Sequence, residues 1–251
     1  MSFVKQVRWG ADAAAWEVAS LRWLAETEPH GGARTVRVRA HDGATIELDE
    51  LRPARPSRDD AAAFGRALAA THAAGADGWC APPPGCEGDG WIGRQRQGMQ
   101  PAATWGEGFA EQRVRPFVRA AVDAGHLGDA DARVVERVCD RIAAGEHDDD
   151  RPPARIHGDL WSGNVLWTAD GAVLIDPAAH GGHPLTDLAM LALFGLPHLD
   201  VVLNAHAEVA SLAPGWRDLL GLHQLHPLAV HAVSHGPSYG AELAAVARRY
   251  A

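Results

Sequence analysis

The alternation of apolar and polar positions divides the chain into a strand-rich beginning and a long, mainly helical remainder. Ser2 to Trp9 predict a β-strand centred on Phe3-Val4-Lys5, and Asp12 to Ala25 carry Trp16, Ala19, Trp23 and Leu24 at the spacing of a helix packed on one side. Thr35 to Arg39 and Thr45 to Leu48 alternate about Asp42-Gly43, which predicts a hairpin. At Asp49-Glu50-Leu51-Arg52-Pro53 the pattern turns Pro-rich, and the expected boundary falls there: residues 1–52 form one unit and 53–251 the other.

Ser57 to Ala74 predict a helix with Ser57 as cap, Asp59 and Asp60 in its first turn and Gly75 after its end. Gly75 to Ala103 has no period and is rich in Gly and Pro, as expected of a functional or disordered loop. Thr104 and Glu107 have capping-box spacing and open a helix through about Ala124, with Trp105, Phe109 and Phe117 as core residues. Asp129 opens another, with Val134, Val135, Val138 and Ile142 inward and Gly145 as its stop. Beyond Leu199 the pattern is helical, with breaks expected at Pro214-Gly215, Pro227 and Gly236-Pro237.

Between these helices lies RIHGDLWSGNVLWTADGAVLIDPAAHGGHPLTD, Arg155 to Asp187, where the chemistry concentrates. Val165 to Trp167 and Ala172 to Ile175 are β-prone and joined by Asp170-Gly171, a two-residue hairpin signal. Such a hairpin brings Asn164 and Asp176 together, and both offer oxygens to one hard cation such as Mg²⁺. Asp159 stands five residues before Asn164, within reach of a hydroxyl nucleophile's proton. A base, two metal oxygens and a loop that holds them are the parts of phosphoryl transfer.

Composition narrows the class of partner. The 251 residues are 47% apolar and 22% charged with a net charge of −9 and no basic run, which argues against nucleic acid or anionic membranes and for small-molecule chemistry. No apolar run reaches ~18 residues and no signal segment opens the chain, so a cytoplasmic protein is expected. Cys80, Cys86 and Cys139 cannot all pair, which suits a reducing compartment. Lys5 is the only lysine among 23 basic residues, and a compact ammonium there suits phosphate gripping. The histidines at 223, 226, 231 and 235 invite a zinc site, but Pro227 splits their register and a histidine-rich packed helix pair is the better expectation.

His157-x-Asp159-x-x-x-x-Asn164 followed by Asp176 is the kinase catalytic-loop pattern, with Gly158 in place of its Arg and Ile175-Asp176-Pro177 in place of Asp-Phe-Gly. These variations resemble the aminoglycoside phosphotransferase and choline kinase branch. Within it, HGDLWSGNV, LIDPA, GH and DLAM before LFG resemble the fructosamine kinase (ketosamine-3-kinase) family from Phe3 onward, and Trp161-Ser162 separates that family from aminoglycoside kinases. The resemblance implies an α/β (α+β) protein-kinase-like fold with a small sheet lobe and a helical C-lobe. It implies ATP and Mg²⁺, and transfer to a sugar hydroxyl, the 3-OH, of a fructosamine or ribulosamine, free or on a glycated protein, in deglycation or sugar-amine metabolism.

Residue by residue, it makes Asp159 the base, Asn164 and Asp176 the metal ligands, and Lys5 the ATP-binding lysine braced by Glu17. Adenine is expected at the backbone of Asp49, Glu50 and Leu51, with His157 and Asp187 supporting the catalytic loop. Trp161 is the expected sugar-stacking residue, and His180, where the family often has Tyr, could reach the substrate. The chain departs from the family in having no G-x-G-x-x-G before Lys5: either the natural protein starts earlier or the lobe lacks its phosphate-covering loop. An aminoglycoside- or choline-type kinase and a non-catalytic pseudokinase are the alternatives.

Overall fold

A computed structural model describes residues 1–251. Strand β1 (Ser2–Gln6), β2 (Val38–Asp42) and β3 (Thr45–Asp49) form an antiparallel sheet in the order β1-β3-β2. Helix α1 (Ala11–Ala25) lays Ala14, Val18 and Leu21 on Ile46 and Leu48 of that sheet. Val173, from the far lobe, completes this core, so apolar burial ties the sheet to the helical part.

The predicted strand Thr35 to Arg39 begins later than expected. Thr35 instead bridges Leu174 in parallel, with the Val36 N–H donating to the Leu174 carbonyl at 2.9 Å. A distant segment claims those backbone groups, and a bulge between Val38 and Ala40 restores the pairing with β3.

Helix α2 (Arg58–Ala73) opens on a reciprocal capping box between Ser57 and Asp60. Its Phe64 and Leu68 share a core with Leu188, Leu191 and Val202. The aperiodic segment 75–103 holds a small hairpin, β4 (Gly90–Ile92) and β5 (Gln95–Gln97), missed because each strand is three residues long and the turn Gly93-Arg94 is no strong hairpin signal.

The helix predicted to open at Thr104 runs as α3 (Trp105–Gly108), a π turn Phe109–Val114 and α4 (Arg115–Asp123). Pro116 has no N–H for the carbonyl four residues back, and the backbone widens before it. Helix α5 (Asp129–Ala143) packs Val135, Val138 and Ile142 into the second large core.

Strand β6 (Ala154–Ile156) leads into the catalytic-loop pattern and pairs with β9 (His180–Gly182). Between them, β7 (Val165–Thr168) and β8 (Gly171–Leu174) form the predicted hairpin, with Val165 opposite Leu174. Helix α6 (Pro184–Phe194) opens on Pro184, which favours a first turn, and the His183 ring caps the Leu185 N–H. After it come α7 (Leu199–Val209), α8 (Leu220–His223), α9 (Leu225–His235) and α10 (Pro237–Ala247). Pro227 does not end a helix; it occupies the first turn of α9, where its missing N–H has no partner to lose. No helix is long and apolar enough to cross a membrane.

Candidate active site

The loop after β6 is fixed from beneath by one buried carboxylate. Asp187, in the first turn of α6, accepts the His157 N–H at 2.8 Å and the Gly158 N–H at 2.9 Å. Burial opposes its charge, but the His72 hydrogen bond and nearby imidazoles outweigh that and hold its pKa below the ordinary aspartate value. Gly158 has φ +79° and a Cβ there would stand 2.3 Å from the Ala178 carbonyl, which is why no side chain occupies the place of the protein-kinase arginine. The buried His157 ring links both sides of the site, donating from Nε2 to the Ile175 carbonyl at 2.9 Å and accepting the Asp159 N–H on Nδ1 at 3.3 Å.

The hairpin does bring Asn164 to Asp176. Asn164 Nδ2 donates to the Asp159 carbonyl at 2.7 Å, to the Asp159 carboxylate at 3.2 Å and to the Asp176 carbonyl at 3.4 Å. With its amide hydrogens so directed, its side-chain oxygen is left for another partner. Asp176 has φ +53°, rare for a residue with a Cβ, and its carboxylate is half exposed. Burial raises the Asp159 pKa to about 7; Asn164 lowers it in part, and the charges of Asp176 and Asp187 add to the rise.

Lys5 joins the two lobes. Its Nζ lies 2.8 Å from both Glu17 oxygens and 2.9 Å from Asp176 Oδ1. Burial works against the lysine charge, but Asp176 and Glu17 more than offset it, so its pKa is raised. Glu17 is raised as well, because burial outweighs the attraction of Lys5.

Two cavities meet at Asp159 and Trp161. One, of about 410 Å³, is lined by Lys5, Glu17, Asn164, Asp176 and Arg8. The other, of about 510 Å³, is walled by Phe194, His231, His235 and Tyr239 and reaches Arg94. Trp161 is 42% exposed between them, edge-on to Phe194 at 6.3 Å.

One expectation is corrected. His180 lines neither cavity: pairing of β9 with β6 turns it inward, where it is 3% exposed and its Nε2 accepts from Arg113 at 3.2 Å. Asp49 ends the last strand of the sheet, Glu50 and Leu51 follow it, and all three lie outside the lining of both cavities. The Asp49 N–H donates to the Arg37 carbonyl and the Glu50 N–H to that of Met1, while Leu51 packs on the sheet core.

Other residues carry no signal in the one-dimensional pattern. His72 Nε2 is 3.0 Å from Asp187, and His72 Nδ1 is 2.9 Å from His206 Nε2, which extends the buried support across α2 and α7. Of the four late histidines, His223 and His226 are buried against Trp105, Phe109 and Phe117, while His231 and His235 face the second cavity. No three His, Cys, Asp or Glu side chains converge as a metal-binding group. Mg²⁺ needs fewer, since waters and phosphate oxygens complete its octahedron, so the Asn164 amide oxygen and the Asp176 carboxylate suit it.

A sheet lobe on a helical lobe, with this loop between them, defines a phosphotransferase of the protein-kinase-like class. The architecture matches an aminoglycoside phosphotransferase solved as a thermostable mutant with ADP and hygromycin B (TM-score 0.57, 15% identity, over 95% of this chain and 83% of that one), a likeness of fold alone. The chain belongs to the fructosamine kinase family, whose profile matches residues 3–250. It is 29% identical to a probable ketoamine kinase of Enterococcus faecium over 80% of its own length and 70% of the relative's. A solved candidate fructosamine-3-kinase of Thermobifida fusca is 46% identical and superposes with a TM-score of 0.85 over 93% of this chain and 78% of that one. The chain is therefore an ATP-dependent phosphotransferase acting on an alcohol group.

Proposed function

We propose that the protein transfers the terminal phosphate of ATP to a sugar hydroxyl of a ketosamine, the 3-OH of a fructosamine or ribulosamine, in deglycation or sugar-amine metabolism. The observation that carries this is the position of Asp159, the one carboxylate shared by the cavity of Lys5 and Asp176 and a cavity walled by aromatic and imidazole rings. Residues 1–52 contribute Lys5, held by Glu17 to grip the phosphates, and 53–251 contribute the rest of the machinery. Trp161 presents an apolar face for a sugar ring and leaves its hydroxyls free.

Asp159 orients the acceptor hydroxyl and takes its proton as the oxygen bonds to the terminal phosphorus; the bond to ADP breaks and ADP departs. Asn164 and Asp176 would hold Mg²⁺, which neutralises charge on the phosphate oxygens when bound. Asp187 keeps the loop carrying Asp159 in register through the His157 and Gly158 amides.

The test is ADP release with synthetic fructosamine and ribulosamine beside an aminoglycoside and choline, with the phosphorylated carbon located by NMR. Release driven by a ketosamine with phosphate on C3 supports the proposal. Release driven only by the aminoglycoside or choline would refute it.

A further inference from the structure

Resting on the ketosamine reading above, we propose that Arg94 forms the far end of the acceptor cavity and selects ketosamines whose amine part is an amino acid with a free carboxylate. Among the Asp, Glu, Lys and Arg residues lining that cavity there are two: Asp159 at the reacting end and Arg94. A ketosamine made from an amino acid has the matching polarity, with hydroxyls at one end and a carboxylate at the other.

Arg94 is poised for this by its place in the fold. It sits in the turn between β4 and β5 and reaches the last turn of α9, where Nη2 donates to the Ser234 carbonyl at 2.8 Å. One of five N–H donors is so engaged, which anchors the guanidinium and leaves a fork for a carboxylate. Arg94 does not line the cavity of Lys5 and Asp176, where Arg8 and Lys5 are the cations. The neighbouring Arg96 is committed elsewhere, stacked 4.7 Å above Trp91.

Aromatic and imidazole rings line the wall of this cavity. His231 packs 4.8 Å from Phe194, 4.9 Å from His235 and 5.0 Å from Tyr239. The cavity, at about 510 Å³, lies in the range that encloses a whole small-molecule ligand and not a sugar ring alone.

The experiment compares kcat/KM for fructosyl-glycine, its amide, and a glycated protein in the native enzyme, R94Q and R94K. Melting temperatures of the variants confirm folding. The native enzyme should prefer the acid over the amide by about tenfold, the size of one charge-assisted pair at a half-open site. R94Q should bring that ratio near unity, R94K should restore part of it, and added salt should shrink it in the native enzyme. Equal use of acid and amide by the native enzyme, or a preference that survives R94Q, overturns the proposal while leaving ketosamine phosphorylation standing. If Arg94 served only to clip the hairpin to α9, R94Q would slow both acceptors alike and leave their ratio unchanged. No turnover of any ketosamine would overturn the functional reading and this inference with it.

Discussion

Lys5 Nζ lies 2.9 Å from Asp176 Oδ1, a pair that joins the first strand of the small lobe to a carboxylate 171 residues further along the chain. Glu17 holds the same ammonium from within the small lobe, so one lysine registers both lobes. Lys5→Met should raise the KM for ATP by about tenfold or more, the loss of one or two charge-assisted hydrogen bonds. Glu17→Gln should have a smaller effect, because Asp176 still holds the lysine. Initial rates across an ATP series measure both, and an unchanged KM in Lys5→Met would remove the lysine from the nucleotide site.

Asp159→Ala should lower kcat by roughly 10²- to 10⁴-fold, as loss of a general base does. Nucleotide affinity, read by calorimetry, should stay nearly intact, because Lys5, Asn164 and Asp176 remain. A variant that kept most of its rate would show that another group takes the proton.

Asp187→Asn should damage both stability and rate. Two backbone N–H groups and His72 converge on this carboxylate, and one amide oxygen cannot accept from all of them. A loss of about 3 kcal/mol in chemical denaturation is expected for breaking a buried charged network. The catalytic loop then loosens, and kcat should fall at least about tenfold with little change in the KM for ATP. A drop in stability with kcat unaltered would confine Asp187 to folding.

Acid should destabilise the fold at a pH well above the ordinary carboxylate range. Burial lowers the pKa of His180 and His206 to about 3 and places those of His223 and His226 well below the ordinary value, so all four are neutral in the folded protein. Unfolded, each takes a proton near pH ~6.5. A depressed folded pKa gives stability that is complete above about pH 6.5 and declines as pH falls toward the folded value, by up to ~1.4 kcal/mol per unit for each group. Denaturation midpoints at pH 7.5, 6.5 and 5.5 should show the decline beginning near 6.5. His226→Phe should flatten the slope, since it removes one such ring, whose Nε2 is buried without a partner. A flat profile in the native protein would mean the rings are solvated.

Much of the site was legible because its parts are local. The turn Ala169-Asp170, one position before the expected Asp170-Gly171, joins β7 and β8, and their pairing places Asn164 beside Asp176. Lys5 was marked by being the only lysine, and Glu17 by the helix after it. His180 was misplaced because His-Gly-Gly has no strand period, so its pairing with Ile156 and its burial could not be inferred.

Elements whose signals lie within a few residues can be read from the chain alone: the Ser57 and Thr104 caps, the Asp-Gly hairpins, and the spacing of Asp159, Asn164 and Asp176. Packing alone put His72 and His206 behind Asp187, drew Thr35 from its strand to Leu174, and set Arg94 in the same cavity as Asp159. The difference is one of range: caps and turns satisfy backbone groups nearby in the chain, whereas buried charges and cavity walls take partners from wherever packing brings them.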